Sequence, residues 1–238
     1  MIRFLLLNAL ITGLSIFYSL FGIVLSLFDR TGGERIHRLV AVPWAKAILW
    51  VCGVKVEVRH RENLDPTLPR VYLSNHQSYF DIFVLLAHLP VHFKFVLKEE
   101  LMRVPLLGPA MRGAGYIGID RDDPRKAIRG MNEAAEKVSM GASILVFPEG
   151  TRSVDGELQN FKPGGFHLAL KAGCDVVPLA ILKSRLIVPK GSLRIQSGIC
   201  SLHIGKPLPT AGVTRKNMPE LMARVREAMM DLMKEQEM

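Results

Sequence analysis

Residues 71–88 read VYLSNHQSYFDIFVLLAH, and this stretch predicts the junction of a strand and a helix on which the fold depends. Its first part, 71–75, is a short apolar run, which is typical of a buried strand. The apolar segment that follows, 79–88, predicts a helix. Where such strands and helices alternate along a chain, the domain is expected to contain an α/β sheet.

The alternation of short strands with helices extends from residue 53 to residue 238. The predicted strands cover 54–59, 71–75, 92–97, 116–119, 144–147 and 176–181, followed by a pair near 193–196 and 200–204. The predicted helices cover 79–88, 124–140, 164–172 and 218–236. Asp123-Pro124 and Gly141 provide start and stop signals for the second of these helices. We therefore predict an α/β domain at 53–238, with a mixed β-sheet flanked by helices.

The amino-terminal segment from Phe4 to Phe28 contains no charged residue. As a helix it would measure ~37 Å, which exceeds the ~30 Å hydrocarbon core of a bilayer. A secretory signal peptide has a shorter apolar core and a small-residue cleavage site, so we expect this segment to be retained. The sequence leaves open whether the helix spans the bilayer or is partly embedded in it.

Small or weakly polar residues form a stripe along one face of this first helix. They are Asn8, Thr12, Ser15, Ser19, Gly22 and Ser26. Such a stripe allows a partner helix to approach closely in lipid, although a single tilted anchor would tolerate it as well. The partner that we predict is an amphipathic helix within 36–51, which contains both tryptophans, Trp44 and Trp50. Because tryptophan favours the membrane interface, residues 1–52 are predicted to form a two-helix membrane module.

The charge balance of the chain favours anionic partners. Its 238 residues include 31 Lys and Arg against 22 Asp and Glu, which gives a net charge of +9. An anionic membrane surface or an acidic carrier protein fits this excess. Aromatic residues make up only 7% of the chain and do not interleave with basic ones, which argues against nucleic acid. The three cysteines are far apart, so we expect core thiols in a reducing compartment rather than disulfides or a zinc site.

The turn after the strand at 71–75 contains the residues that predict chemistry. His76 ends the strand and Asp81 lies in the first turn of the helix, so their side chains can converge. Asp81 would then fix the tautomer of the imidazole and leave the other ring nitrogen free as a general base. This pair corresponds to the base and its orienting carboxylate in a serine-protease triad, with the nucleophile supplied by the substrate.

Two alternatives compete with this interpretation. Ser78 and Asp81 also match a helix capping box, which requires no catalytic role. In addition, His60 is followed by Asp65 at the spacing of the His76 pair. That second pair lies in a charged loop with no apolar strand leading into it, so the sequence context favours His76.

A second cluster follows a predicted strand and reads Phe-Pro-Glu-Gly-Thr-Arg-Ser at 147–153. Open α/β sheets bind ligands at the carboxyl ends of their strands, where this cluster lies. Gly150 permits close approach of the backbone, Thr151 supplies a hydroxyl, and Arg152 is a bidentate partner for phosphate. Glu149 would repel a phosphate, so we expect it to bond an acceptor hydroxyl or to orient Arg152. An ordinary turn with a surface arginine is the alternative.

Three further segments give weaker signals. Lys98 and Arg121 follow predicted strands and could add phosphate contacts, although solvated charges would give the same pattern. The segment 161–165 could present backbone N–H groups to an oxyanion at the start of a helix. His88 and His92 are separated by a proline, which argues against a metal-binding helix face, and no metal is expected.

Taken in order, these residues resemble the motifs of the glycerolipid acyltransferases, the family that includes the bacterial 1-acyl-sn-glycerol-3-phosphate acyltransferases. The motifs correspond to Asn75-His76 with Asp81, the stretch 98–121, the segment 147–152, and Val177-Pro178-Leu179. The resemblance covers about 54–205 and implies a glycerol-3-phosphate acyltransferase-like fold, with His76 as the base and Asp81 as its partner. It also implies that Lys98 and Arg152 hold the acceptor phosphate, with Glu149, Gly150 and Thr151 shaping its site, to which Arg121 could add a contact.

The resemblance further implies a reaction and a location. A fatty acyl group from acyl-CoA or acyl-carrier protein would pass to the sn-2 hydroxyl of lysophosphatidic acid, giving phosphatidic acid, with no cofactor besides this co-substrate. The enzyme would lie on the inner (cytoplasmic) membrane, with its catalytic domain on the cytoplasmic side. Glycerol 3-phosphate, another lysophospholipid or a lyso-aminolipid remain open as acceptors, as does a non-catalytic lipid-binding role. His60 departs from the pattern, because glycine is expected there.

Overall fold

Seven strands form one mixed sheet in the computed structural model, which describes residues 1–235. The strands are β1 (Val54–Arg59), β2 (Val71–Ser74), β3 (Phe93–Lys98), β4 (Ile117–Ile119), β5 (Ser143–Val146), β6 (Val176–Leu182) and β7 (Gly198–Ile204). Their order across the sheet is β1-β7-β6-β2-β5-β3-β4. The strands from β6 to β4 are parallel to one another, whereas β7 runs antiparallel to β6 and parallel to β1. The mixed sheet predicted from the sequence is confirmed.

Helices cover both faces of the sheet and form the amino terminus. They are α1 (Ile2–Ser26), α2 (Glu34–Ile36), α3 (Val42–Cys52), α4 (Phe80–His88), α5 (Leu107–Gly113), α6 (Pro124–Ser139), α7 (Gly164–Ala172), α8 (Ser184–Ile187) and α9 (Met218–Lys234). A π-helical turn at His37–Ala41 joins α2 to α3. The amphipathic helix predicted within 36–51 is therefore divided, with a proline in the first turn of α3.

Alternating side chains of the central strands divide the core into two layers. Tyr72 and Leu145 pack in the layer with α3 and α4, whereas Leu73 and Val146 pack in the layer with α6, α7 and α9. Every residue of β2 and β5 is buried, as expected for parallel strands with helices on both faces. The carboxyl ends of the parallel strands are left at one edge of the sheet, where ligands bind in open α/β folds.

Helix α1 packs on neighbouring helices through its stripe of small residues. The indole of Trp44, in α3, donates a hydrogen bond to the Ser15 hydroxyl at 3.2 Å. A Cβ built at Gly22 would lie 3.4 Å from Val40 and 3.5 Å from Ala110, in van der Waals contact with both, so α1 packs closely on its neighbours at this position. The stripe thus serves helix packing, as the first of its two interpretations predicts, and α5 is a second partner that the sequence does not indicate.

The opposite face of α1 is apolar and exposed. Its large exposed residues include Leu5, Leu6, Leu10, Phe17, Leu20 and Val24. Among residues 1–235, α1 is the one helix long and apolar enough to cross a membrane. Trp50, at the end of α3, is 82% exposed. Nothing within the described chain covers this apolar surface, whose exposure in a soluble protein would be costly.

Two expectations for secondary structure are corrected. The strand predicted at 193–196 is wrong, because Leu193 is exposed and the Gln196 N–H bonds to the Ile187 carbonyl rather than to a strand. Conversely, the sequence predicts no helix at Leu107–Gly113, a segment with glycines and a proline. A Cβ at Gly113 would lie only 2.7 Å from the Cβ of Ser26 in α1, so this glycine serves close helix packing. The last predicted helix boundary, residue 236, lies outside the described residues.

The three cysteines are free and buried, as the sequence predicts. Burial raises the pKa of Cys52 to about 11, that of Cys174 to about 11 and that of Cys200 to about 12. Thiols with such pKa values stay protonated near neutral pH and behave as small core residues.

Candidate active site

The residues predicted to act together follow four parallel strands and therefore lie along one edge of the sheet. His76 follows β2, Lys98 ends β3, Arg121 follows β4, and 149–152 follow β5. Because the carboxyl ends of parallel strands meet at the same edge, segments far apart in sequence converge there. This edge is the candidate active site.

His76 and Asp81 form the pair predicted from their spacing. The imidazole Nδ1 lies 2.8 Å from Asp81 Oδ2. The carboxyl is fully buried, whereas the imidazole retains 15% exposure. No hydrogen bond within residues 1–235 engages the second ring nitrogen, Nε2. Since a carboxylate accepts the Nδ1 proton, Nε2 is the nitrogen left with a lone pair.

The capping interpretation of Asp81 proves compatible with this pair. The same Oδ2 accepts hydrogen bonds from the backbone N–H groups of Gln77 (2.6 Å) and Ser78 (2.9 Å). These groups precede the first turn of α4, where a carboxylate also interacts favourably with the helix dipole. The Ser78 hydroxyl donates to the Val188 carbonyl at 2.8 Å and accepts from the backbone of the helix. One carboxylate therefore orders the turn and orients the imidazole.

Glu149 holds the backbone of His76 rather than Arg152. Its Oε1 accepts from the His76 N–H at 2.7 Å, and its Oε2 accepts from the Gln159 N–H at 2.8 Å. Burial raises the pKa of this carboxyl. The expected role in orienting Arg152 is not found, because no hydrogen bond or salt bridge within residues 1–235 joins the two side chains, whereas a bond to an acceptor hydroxyl stays a prediction. The Ser153 N–H in turn donates to the His76 carbonyl at 2.7 Å, so both peptide groups of His76 are fixed.

The imidazole of His76 stacks on Phe147. Their ring centroids are 4.0 Å apart and the planes differ by 15°. Phe147 stacks in turn on Phe95 from β3, at 6.1 Å between centroids. Together with the Asp81 bond, this stacking restricts rotation of the imidazole, so that Nε2 keeps one direction.

The loop after β5 presents Arg152 over an aromatic ring. Its guanidinium carbon lies 3.7 Å from the centroid of Tyr79, a cation–π contact. One of its terminal nitrogens is buried with no hydrogen-bond partner among the described residues. Lys190 donates to the Arg152 carbonyl at 2.8 Å and to the Thr151 hydroxyl at 3.2 Å, which adds a second cation to this loop. Such an arrangement suits a bound anion.

The remaining predicted residues have structural partners at the same edge. Gly150 has a positive φ of 72°, which favours glycine, and its carbonyl accepts a hydrogen bond from Arg121. Lys98 pairs with Glu100 at 2.8 Å and stays half exposed. The hydrogen bond to Glu100 raises the pKa of Lys98, and the positive charge of Arg121 partly opposes this rise. Arg121 therefore borders the loop that contains Arg152, and Lys98 lies near Arg121.

The structure does not bring the other candidate residues of the sequence into this site as a second histidine–aspartate pair or a metal site. His60 does not bond to Asp65; it bonds to Glu235 at 2.8 Å and lies near Glu62, while Asp65 bonds to Thr67. His60 also has a φ of 60°, which explains physically why glycine is expected there. No group of three His, Cys, Asp or Glu side chains within the described chain could hold a metal ion. The segment 161–165 leads into α7 beside the active-site loop, and its oxyanion role stays a prediction.

Three residues with contacts at this site were not singled out from the sequence. Phe147 lies in the motif at 147–153, so its position is visible there but its stacking on His76 is not. Tyr79 lies within the His76 turn and gives no sign that it underlies Arg152. Lys190 follows no motif, and only the fold brings it to the loop.

Comparison with known proteins agrees with this geometry. Residues 55–182 match the family described as Acyltransferase. The chloroplast 1-acyl-sn-glycerol-3-phosphate acyltransferase BAT2 of Brassica napus is 39% identical over 184 residues, which is 76% of this chain and 53% of the relative. The human 1-acyl-sn-glycerol-3-phosphate acyltransferase alpha is 36% identical over 189 residues, or 79% of this chain and 67% of the relative. This chain thus spans about half the length of the plant relatives it matches.

A solved structure matches nearly the whole chain. The crystal structure of the 1-acyl-sn-glycerophosphate acyltransferase PlsC from Thermotoga maritima superposes with a TM-score of 0.81 at 27% sequence identity. The match covers 97% of this chain and 95% of that one. The similarity therefore includes the amino-terminal helices as well as the sheet.

Proposed function

Since this chain belongs to the acyltransferase family, we propose that it transfers a fatty acyl group from an acyl thioester to the sn-2 hydroxyl of 1-acyl-sn-glycerol 3-phosphate, giving phosphatidic acid. The observation that supports this most directly is the His76–Asp81 pair at the same sheet edge as Arg152, which has a buried nitrogen without a partner. A base beside an anion site matches an acceptor that has both a hydroxyl and a phosphate. The names of the relatives agree with this acceptor.

His76 acts as the general base. Its Nε2 takes the proton of the sn-2 hydroxyl as the hydroxyl oxygen attacks the thioester carbonyl, because the alcohol alone has a pKa far above neutral. This attack forms the ester C–O bond and gives a tetrahedral intermediate. When the intermediate collapses, the C–S bond breaks. The imidazolium returns its proton to the departing sulfur, which leaves as a thiol. No covalent bond to the enzyme forms at any step.

Asp81 and Glu149 are positioning residues in this mechanism. Asp81 holds Nδ1 protonated and stabilises the imidazolium that forms when Nε2 accepts the proton. Glu149 fixes the main chain of His76 from the opposite side of the turn. The base therefore enters the reaction already oriented, which lowers the entropic part of the barrier.

Arg152 receives the phosphate of the acceptor, with Lys98 and Arg121 adding positive charge. The guanidinium, which lies over the Tyr79 ring, can offer a phosphate two parallel hydrogen bonds, one of them from the buried nitrogen that has no partner among the described residues. Gly150 and Thr151 shape the loop that supports it, and Glu149 anchors that loop to the His76 turn. The acyl donor, acyl-CoA or acyl-carrier protein, is the one co-substrate, and no further cofactor takes part.

The amino-terminal helices attach the enzyme to the membrane that contains its acceptor. The exposed apolar face of α1 and the exposed Trp50 support this attachment. We place residues 53–238, the catalytic domain, on the cytoplasmic side of the inner membrane, with 1–52 as the anchor. The net charge of +9 is attracted by an anionic lipid surface.

A panel of acceptors tests the proposal. The protein, purified in detergent, is incubated with an acyl donor and, in turn, 1-acyl-sn-glycerol 3-phosphate, glycerol 3-phosphate, other lysophospholipids and a lyso-aminolipid, and products are identified by mass spectrometry. We expect phosphatidic acid from the first acceptor. Acylation of a different acceptor alone would show that 1-acyl-sn-glycerol 3-phosphate is not the substrate. No product from any acceptor, with a folded protein, would favour a non-catalytic lipid-binding role.

The variant Arg152→Met separates phosphate acceptors from the others. If the guanidinium binds phosphate, the acceptor KM rises sharply while the donor KM stays constant. An unchanged acceptor KM would show that the phosphate binds elsewhere.

A further inference from the structure

A cavity of about 800 Å³ lies between α6 and α7, on the sheet face opposite to α3 and α4. We call it the α6–α7 groove. Its floor is apolar and includes Ile119, Ile128, Met131 and Leu168. The volume is within the range of sites that hold a molecule the size of a drug or cofactor. Its lining includes Arg121 and Gly150 from the acceptor-phosphate site, but the rest of the groove takes no part in the proposed reaction so far.

Four cations border the groove, and none of its lining residues is acidic. They are Arg121, Lys162, Lys171 and Arg215. Within residues 1–235, none of the four forms a salt bridge. Lys171 bonds to the neutral side chain of Asn132, and Arg121 bonds to a backbone carbonyl. The groove therefore combines apolar surface with uncompensated positive charge, which suits a ligand with apolar and anionic parts.

A single aromatic ring separates the groove from the catalytic base. Phe147 lines it, and the His76 imidazole stacks on that same phenylalanine at 4.0 Å between centroids. Pro148 and Gly150 continue the lining into the active-site loop. The groove therefore ends one aromatic ring away from His76, beside the active-site loop.

The charges extend well beyond that end. Gly164 opens α7 next to the active-site loop, and Lys171 lies seven residues further along the helix, or ~10 Å at 1.5 Å per residue. A single phosphate monoester held at Arg152 does not need cations so far away. A long, flexible arm with phosphate at its distal end does.

The two substrates of the proposed reaction would reach the site from different sides. Ile11 and Leu14 of α1, the helix proposed to meet the membrane, pack into the layer of α3 and α4. The groove lies on the opposite face of the sheet from this layer. This separation favours the donor over the lysolipid as its occupant.

We propose that the α6–α7 groove binds the phosphopantetheine arm of the acyl donor, with Lys171 and Arg215 holding its phosphate and the apolar floor holding the pantetheine chain. This inference rests on the proposed acyl transfer. The arm is shared by coenzyme A and acyl-carrier protein, so the groove identifies the chemistry common to both donors.

Charge changes at the distal end test the assignment. The double variants K171E/R215E and K171Q/R215Q are compared with Lys55→Glu, a single charge reversal at an exposed position of β1, the edge strand remote from the groove. Steady-state kinetics are measured with acyl-CoA, acyl-carrier protein and acyl-pantetheine, which lacks phosphate. We expect the KM for acyl-CoA to rise about tenfold or more in both double variants, with the lysolipid KM unchanged. The Lys55→Glu control and the KM for acyl-pantetheine should stay within about twofold.

A parallel rise for acyl-carrier protein supports the shared phosphopantetheine phosphate. A rise for acyl-CoA alone would overturn the proposal, because the cations would then bind phosphates that only the coenzyme has. An unchanged donor KM in the folded K171Q/R215Q variant, or an equal rise with acyl-pantetheine, would overturn the inference. Failure of the wild-type protein to acylate any acceptor would instead refute the proposed function, so the two failures are distinguishable.

Discussion

Replacing Asp81 by Asn removes one negative charge while keeping an oxygen acceptor at the turn. In the structure, Oδ2 accepts from His76 Nδ1 at 2.8 Å and from the N–H groups of Gln77 and Ser78 at 2.6 and 2.9 Å. The amide oxygen of an asparagine can occupy the same position and keep these three bonds. The substitution therefore tests the charge rather than the shape of the turn.

The expected loss follows from the charge that develops on His76. When Nε2 accepts the proton, the imidazolium lies next to the buried carboxylate. Two opposite unit charges about 4 Å apart attract by about 4 kcal/mol at an effective dielectric constant of about 20. Each 1.36 kcal/mol corresponds to about a factor of ten in rate, so kcat should fall by about 10³. The free acceptor and donor do not contact Asp81, so both KM values should change little.

The assay combines kinetics with a folding control. The kcat of Asp81→Asn is measured with saturating lysolipid and acyl donor, and its thermal unfolding midpoint is compared with that of the wild type. We expect a midpoint within a few degrees together with the large loss of kcat. A folded variant whose kcat lies within tenfold of the wild type would refute the assigned role of the carboxylate.

Three further substitutions have distinct expected outcomes. Glu149→Gln turns one buried oxygen into a donor that faces a backbone N–H. The free energy of unfolding in urea should therefore fall by ~1–3 kcal/mol, and kcat should change more than either KM. Unaltered stability would contradict this. Arg152→Lys keeps the charge but loses the planar contact with Tyr79, so the lysolipid KM should rise about tenfold at constant donor KM; an equal rise of both KM values would contradict the assignment. Gly33→Ala places a Cβ against the Ala114 carbonyl at a φ of 93°, so the free energy of unfolding should fall by ~2 kcal/mol or more; an unchanged melting temperature would refute this close approach between the turn before α2 and the end of α5.

The parts of the fold that the sequence predicts are those with a local cause. β1 at Val54–Arg59 and α7 at Gly164–Ala172 are found at their predicted bounds, because periodicity and turn residues define both ends. The segment 193–196 alternates in the same way but has no neighbouring strand, and a missing partner cannot be detected from alternation. Helix α5, at Leu107–Gly113, shows the reverse case, since its glycines weaken the local signal. Gly113 is explained only by the close approach of α1, and Gly108 only by that of the Met102 backbone.

The contacts of the candidate site are likewise predictable from the sequence only where their cause is local. The His76–Asp81 pair is predictable, because a strand end and the first turn of the next helix fix both residues within one local motif. The partner of Glu149 is not, since its bond to the His76 main chain joins residues 73 positions apart. Lys190 approaches Arg152 from a loop that contains no motif, and only the assembled sheet edge reveals it.

The measurement that tests the central claim most directly compares the two histidines that are followed by aspartate at the same spacing. Formation of phosphatidic acid is measured for His76→Ala and, as a matched control, for His60→Gly, which suits the left-handed backbone at that position. Loss of a general base typically costs a factor of 10²–10⁴, so we expect kcat of His76→Ala to fall by about that amount. His60→Gly should stay within about twofold of the wild type. Near-normal turnover by a folded His76→Ala protein would contradict the account.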